Sequence, residues 1–108
     1  MIAEGFIPVA KLADLPEGDL IAVDAPDGEP VCLVNVGGAI YALHDCCSHQ
    51  AFPISAGAIM HDGTIECPLH GARFDLRSGR VRLGPAVDNI ARYTVRVDCD
   101  TILVGPKA

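Results

Sequence analysis

The chain lacks any apolar stretch long enough to cross a bilayer. Its longest uncharged runs, Val31 to Leu43 and Gln50 to His61, are shorter than the roughly 20 residues that a spanning helix needs. Glycine or proline interrupts both runs. We therefore expect no transmembrane helix and no membrane partner, although apolar residues make up 50% of the chain.

Basic residues are also scarce. Eight lysines and arginines stand against 14 aspartates and glutamates, which gives a formal net charge of −6. A nucleic-acid backbone or an anionic membrane would repel such a chain, so neither is expected as a partner. Electrostatic steering should instead favour a basic surface on a partner protein.

The N-terminal sequence MIAEGFIPVAKL lacks the basic start, apolar middle and cleavage site of a secretory signal peptide. This predicts a cytoplasmic protein. A reducing compartment disfavours a disulfide framework, so metal or redox chemistry is the leading reason for any clustering among the five cysteines.

Short strands separated by turn residues account for most of the chain, and no repeat or linker is visible. The clearest strand alternates Tyr93, Val95 and Val97 with polar residues, as expected when one face lies on a core. Leu12 to Leu15 can form at most a short helical turn. The pattern predicts an all-β single domain, residues 1–108, with strands at Phe6–Val9, Leu20–Val23, Val31–Val36, Ala39–Leu43, Thr64–Glu66, Ala72–Asp75, Ile90–Val97 and Thr101–Val104.

Two short segments concentrate the side chains that bind metals. The first is HDCCSHQ, residues 44–50, and the second is Cys67-Pro68-Leu69-His70. A hairpin that turns at His61 to Thr64 can bring the two together. Two cysteines and two histidines at this spacing suit tetrahedral zinc or a 2Fe-2S cluster with two histidine ligands, and spacing alone does not choose between them.

CSHQ, followed by CPLHGARFDLRSG, resembles the two binding boxes of Rieske-type ferredoxins. The stretches Ile40–Leu43, Gly63–Glu66 and Tyr93–Val104 also match, so the resemblance covers almost the whole chain. It implies a Rieske-type antiparallel β-sandwich with a small two-loop cluster-binding subdomain at about residues 44–71. It also implies one Rieske-type 2Fe-2S cluster, with thiolates on one iron and imidazoles on the other, held by Cys47, Cys67, His49 and His70.

The resemblance further implies a function. Free-standing chains of this size look like the ferredoxin components of aromatic-ring-hydroxylating dioxygenase systems. These carry single electrons from an NAD(P)H-dependent flavoprotein reductase to a terminal oxygenase and are not enzymes themselves. A monomer is expected, and the aromatic substrate is not encoded in any recognisable pocket.

Three positions predict the potential of the cluster. Respiratory Rieske proteins have a serine and a tyrosine that donate hydrogen bonds to the cluster where this chain has Ala72 and Phe74. They also have a disulfide cysteine where this chain has Leu69. Both absences predict a potential at the low end of the Rieske range, which runs from about −150 to about +300 mV.

Alternatives remain open for the function. One is the Rieske-like small subunit of an NADH-dependent nitrite reductase, although that group often lacks the ligands that this chain retains. The other is a structural zinc module for protein binding.

Other clustered side chains have competing interpretations. Cys46 rivals Cys47, because Cys46-x-x-His49 mirrors Cys67-x-x-His70, but the family pattern selects Cys47 and predicts that Cys46 points away from the metal. We expect the remaining cysteines and histidines to be structural or on the surface. The arginines after the second box are expected as charges on an exposed hairpin or as a docking patch, and Gly84-Pro85-Ala86 resembles the family's proline loop. The remaining cysteines and histidines are Cys32, Cys99, His44 and His61, and the arginines are Arg73, Arg77, Arg80 and Arg82.

Overall fold

The computed structural model describes residues 5–46, 53–68, 71–83 and 89–108. Within these ranges there is no α-helix, and no helix is long and apolar enough to cross a membrane. Two single turns of 3-10 helix occur at Leu12–Asp14 and Ile54–Ala56. The strands of the described part are β1 (Ile7–Lys11), β2 (Leu20–Asp24), β3 (Pro30–Val36), β4 (Ala39–His44), β5 (Ala58–Ile59), β6 (Thr64–Glu66), β7 (Arg73–Asp75), β8 (Val81–Leu83), β9 (Arg92–Asp98) and β10 (Thr101–Lys107).

A large antiparallel sheet has the strand order β1-β10-β9-β4-β3-β2 in the described residues. Beside the edge strand β2, Val34 of β3 lies opposite Leu20 of β2 and Tyr41 of β4. The β3–β4 hairpin turns at Gly37 and Gly38, whose φ angles of 61° and 90° are those that glycine adopts without strain. The strand β4 therefore has a fixed register where it leads into the first candidate ligand segment.

A small antiparallel sheet has the order β5-β6-β7-β8. In the β6–β7 hairpin, Thr64 lies opposite Asp75 and Glu66 lies opposite Arg73. The connection between these two strands contains Cys67, so the small sheet supports the second candidate ligand segment.

Apolar side chains fill two clusters, one on each face of β3. Cys32 and Val34 point into the space between the sheets, where they pack with Phe74 and other side chains of the small sheet. Val31 and Leu33 point to the opposite face and join the second cluster. Burial on both faces explains why β3 is a continuous apolar run rather than an alternating one.

The predicted all-β class with packed antiparallel sheets is confirmed, and each of the strands predicted from the sequence is present. The bounds shift most at β10, which continues to Lys107 rather than ending at Val104. The edge strands β5 and β8 were not predicted, because runs of two or three partly exposed residues show no alternation. Val97, expected on the core face, is 43% exposed because it lies at the end of the sheet beside the β9–β10 turn.

Candidate metal centre

The second ligand segment, residues 67–72, is closed by backbone hydrogen bonds at its base. The Cys67 N–H donates to the Ala72 carbonyl at 2.7 Å, and the Gly71 N–H donates to the Cys67 carbonyl at 3.1 Å. Gly71 has a φ of 75°, a conformation that favours glycine. Cys67 is 1% exposed and packs in the cluster between the sheets. Its thiol is therefore held at the inner end of a tight backbone turn.

Residues 46–54, which contain the ligands Cys47 and His49 predicted for the first segment, follow shortly after β4 ends at His44. The two ends of this segment are joined through Asp45, which is 6% exposed. The Asp45 carboxylate accepts hydrogen bonds from the Ser55 N–H at 2.7 Å and from the Ser55 hydroxyl at 2.6 Å. The Asp45 N–H donates to the carbonyl of Pro30 at 2.9 Å, which fixes this base to β3.

The β5–β6 hairpin brings together the described residues that flank the two ligand segments. Met60 N–H donates to the Thr64 carbonyl at 2.8 Å, and Ala58 lies opposite Glu66. Gly57, which follows the first segment, lies directly against the Glu66 carbonyl, which precedes the second. The predicted hairpin with its turn at residues 61–64 is present, whereas the convergence of the ligands themselves stays a prediction.

Of the four predicted ligands, Cys67 is the one that the structure describes. Cys47, His49 and His70 lie outside the described residues, as does the Gly84-Pro85-Ala86 stretch. Within the ranges that are described, no three histidine, cysteine or acidic side chains come together as a metal site. The ligand set therefore stays a prediction, supported by the contact between Gly57 and Glu66, which flank the two segments.

Cys46 and His44 lie at the base of the first segment. Cys46 is half-buried and lines an open cleft together with His44 and Pro30. Nε2 of His44 lies 3.6 Å from Oε1 of Glu29, which is an ion pair when the imidazole is protonated. His44 is thus half-buried rather than on the open surface, whereas His61 is exposed as expected.

The two remaining cysteines have the structural positions that the sequence indicated. Cys32 is fully buried, and desolvation, followed by the negative charge of Asp45, raises the pKa of its thiol to about 12. This thiol is therefore neutral at physiological pH. Cys99 is exposed in the β9–β10 turn with a φ of 56°, where glycine would be the commoner residue.

Ala72 and Phe74 lie behind Cys67 in the cluster between the sheets. They are 1% and 0% exposed, respectively. Neither carries a hydroxyl group, so neither of these two side chains can donate a hydrogen bond to the Cys67 sulfur. Such a buried, apolar setting suits a thiolate ligand of a metal centre.

The arginines of the β7–β8 hairpin are partly neutralised. Arg73 contacts Glu66 through Nε at 3.2 Å and Asp62 through Nη1 at 3.6 Å. Arg82 Nη1 lies 2.9 Å from Asp75. For these two arginines, the interpretation as alternating charges on an exposed hairpin is supported.

Sequence reasoning missed the residues that support the first segment: Asp45, Ser55 and Gly57. The available signal was weak. An aspartate and a serine flank the cysteine- and histidine-rich stretch, and both residue types readily bond backbone groups near turns.

The chain matches a family model described as the Rieske [2Fe-2S] domain over residues 5–94. It is 40% identical over 98 residues to the 3-phenylpropionate/cinnamic acid dioxygenase ferredoxin subunit of Escherichia coli (strain K12), and the alignment covers 91% of each chain. The solved ferredoxin of carbazole 1,9a-dioxygenase from Nocardioides aromaticivorans IC177 matches with a TM-score of 0.90 at 38% identity, over 96% of this chain and 100% of that one. A complex of reduced oxygenase and oxidized ferredoxin in carbazole 1,9a-dioxygenase matches with a TM-score of 0.88 at 25% identity, over 97% of both chains.

Proposed function

The chain belongs to the Rieske [2Fe-2S] domain family, and from that premise we propose that it is the ferredoxin component of an aromatic-ring-hydroxylating dioxygenase system. Its cofactor is a Rieske-type [2Fe-2S] cluster, and the protein is an electron carrier rather than an enzyme in its own right. The observation that carries the proposal is the match to two dioxygenase ferredoxins over nearly the full length of both chains.

We assign the cluster ligands to Cys47, His49, Cys67 and His70. Two thiolates and two imidazoles are the donor set that a Rieske cluster takes, and when bound the cluster accepts and releases one electron. The chain supplies two ligand segments whose bases lie side by side. Behind Cys67, the buried side chains of Ala72 and Phe74 exclude water from the thiolate.

The partners proposed are a flavoprotein ferredoxin reductase as electron donor and a terminal oxygenase as acceptor. A matched structure that combines an oxygenase with a ferredoxin supports the second partner. A flavin is suggested for the first because it can take a hydride from NAD(P)H and pass on electrons singly. The net charge of −6 favours basic docking surfaces on both.

The domain organisation, cellular location and oligomeric state are also part of the proposal. Residues 1–108 would act as one Rieske domain, with the cluster-binding lobe at about residues 44–71, as a cytoplasmic monomer. The family match over residues 5–94 supports a single domain.

The cofactor and its ligands are tested on protein purified anaerobically. We expect bound iron and sulfide and, after reduction with dithionite, a Rieske-type EPR signal. Cys47→Ser should lose that signal, whereas the neighbouring control Cys46→Ser should keep it. A colourless protein with stoichiometric zinc and no iron would contradict the cluster, and the reverse pattern in the two variants would overturn the ligand assignment.

The partners are tested by stopped-flow mixing with a flavoprotein reductase and NADH, and then with a terminal oxygenase. Rapid reduction followed by rapid reoxidation is expected. Added salt should slow both association rates, because it screens the attraction between an acidic ferredoxin and basic docking surfaces. Association rates that do not change with salt would contradict the electrostatic part.

A further inference from the structure

We propose that Asp45 is a positioning residue for the cluster: it ties together the two ends of the first ligand segment, and its negative charge lowers the reduction potential. The proposal rests on the assignment of Cys47 and His49 as ligands, because the segment that Asp45 closes is the one that contains them. The two effects are separable, since one depends on hydrogen bonds and the other on charge.

Both carboxylate oxygens of Asp45 are engaged by Ser55. Oδ1 accepts from the backbone N–H at 2.7 Å, and Oδ2 accepts from the hydroxyl at 2.6 Å. Hydrogen bonds to an ionised acceptor are short and roughly twice as strong as neutral ones, and both distances fit that class. Since Asp45 is 6% exposed, water competes little for them.

The closure acts on the segment that holds two ligands. Ser55 belongs to the 3-10 turn Ile54–Ala56, and the Asp45 N–H is bonded to the first residue of β3. The hydrogen bonds therefore join the end of β4 to the turn that leads into the small sheet. A segment whose ends are already fixed loses less conformational entropy when its side chains bind metal, so the closure favours retention of the cluster.

The negative charge of Asp45 also affects the reduction potential of the cluster. Asp45 and Cys47 are two residues apart, so their Cα atoms lie within about 7 Å of each other. A buried charge is screened less than an exposed one, and a negative charge opposes the arrival of an electron. The charge of Asp45 also helps to raise the pKa of the buried Cys32 thiol, as the second cause after desolvation.

Two variants separate the effects. In Asp45→Asn, the amide oxygen can still accept from the Ser55 N–H and the NH₂ group can donate to the Ser55 hydroxyl, while the charge is gone. In Ser55→Ala, the charge stays and one hydrogen bond is lost. Ser55→Thr keeps a hydroxyl group and serves as the conservative rescue.

The chain contains a matched control for the charge. The carboxylate of Asp62 accepts from the Thr64 N–H at 3.2 Å and the Thr64 hydroxyl at 2.6 Å, the same pair of donors that Ser55 offers Asp45. However, Asp62 is exposed and lies in the turn at the end of β6 that is remote from Cys67. Asp62→Asn changes the net charge by the same amount as Asp45→Asn, at an exposed carboxylate paired with Arg73.

The experiment measures the reduction potential by voltammetry and the rate of cluster loss to an iron chelator, on holoprotein whose Rieske EPR signal has been verified. Asp45→Asn should shift the potential upward, and Asp62→Asn should leave it unchanged. Ser55→Ala should lose its cluster several-fold faster than wild type, with the wild-type rate restored in Ser55→Thr.

The opposite results would refute the proposal. An unchanged potential in Asp45→Asn removes the effect of the charge, and a wild-type rate of cluster loss in Ser55→Ala removes the positioning role. A wrong ligand assignment would instead appear as a normal cluster in Cys47→Ser, so the two failures are distinguishable.

Discussion

Replacing Gly57 with alanine should weaken the junction between the two ligand segments. The backbone at Gly57 has a φ of −91°, which any residue adopts, so unfolded-state entropy alone would make Gly57→Ala stabilising by about 0.4–1 kcal/mol. The added methyl group would, however, overlap the backbone carbonyl oxygen of Glu66, which cannot swing aside as a flexible side chain could. Overpacking of this kind costs about 1–3 kcal/mol, so the clash should dominate.

A loss of that size is measurable. For a domain near this length, 1 kcal/mol lowers the Tm by about 4–8 °C. Thermal unfolding is followed by far-UV circular dichroism for the backbone and by visible circular dichroism for the cluster. Because Glu66 immediately precedes Cys67, we expect the visible signal of Gly57→Ala to disappear at a lower temperature than in wild type.

The control is Gly63→Ala in the β5–β6 turn. Gly63 has a φ of 83° and open space around it, so alanine there carries a conformational cost of about 1–2 kcal/mol without any clash. It should lower the Tm yet leave the visible spectrum of the folded protein unchanged. If Gly57→Ala matched wild type in Tm and in cluster retention, the argument from the Gly57–Glu66 contact would be refuted.

Three further predictions follow from buried groups. Ala72→Ser should raise the reduction potential in voltammetry by offering a hydroxyl group near Cys67, and no rise would mean that this hydroxyl does not reach sulfur. At pH 8, a maleimide should label exposed Cys99 in the native protein, whereas mass spectrometry should find Cys32 labelled only after denaturation. Burial, followed by a hydrogen bond to Asp27, raises the pKa of Tyr93 from 10.0 to about 12. The stability that this shift supplies is complete below pH 10 and is lost as pH rises towards 12, so urea unfolding should show wild type losing stability relative to Tyr93→Phe over that range.

The strands and the ligand turn were predictable because their signals are local. The apolar run of β3, the glycine pairs at the hairpin turns and the CPLHG sequence all lie within a few consecutive residues. The roles of Asp45 and Gly57 were not predictable, because each depends on a partner that the fold brings close. Glycine is required at position 57 because a side chain there would overlap the Glu66 carbonyl, not because the backbone has a positive φ. No local sequence rule detects that requirement.

The resemblance to a known family predicted the metal and its ligands, which periodicity and spacing did not. Spacing alone left zinc and an iron-sulfur cluster equally open, and both Cys46 and Cys47 were possible thiolates. The edge strands β5 and β8 stayed hidden for a different reason. These strands contain only two and three residues, which are partly exposed, so burial produces almost no alternation of apolar and polar residues in them.

The arrangement of the two ligand segments makes the cofactor a cross-link as well as a redox centre. The first segment leaves β4 of the large sheet, and the second connects β6 and β7 of the small sheet. With the ligands as proposed, the cluster joins Cys47 to Cys67 and closes a chain loop of about 20 residues, a restraint worth on the order of 3 kcal/mol in the chain-entropy model. The cluster then supplies a covalent tie between the sheets, and its loss would loosen the sandwich itself.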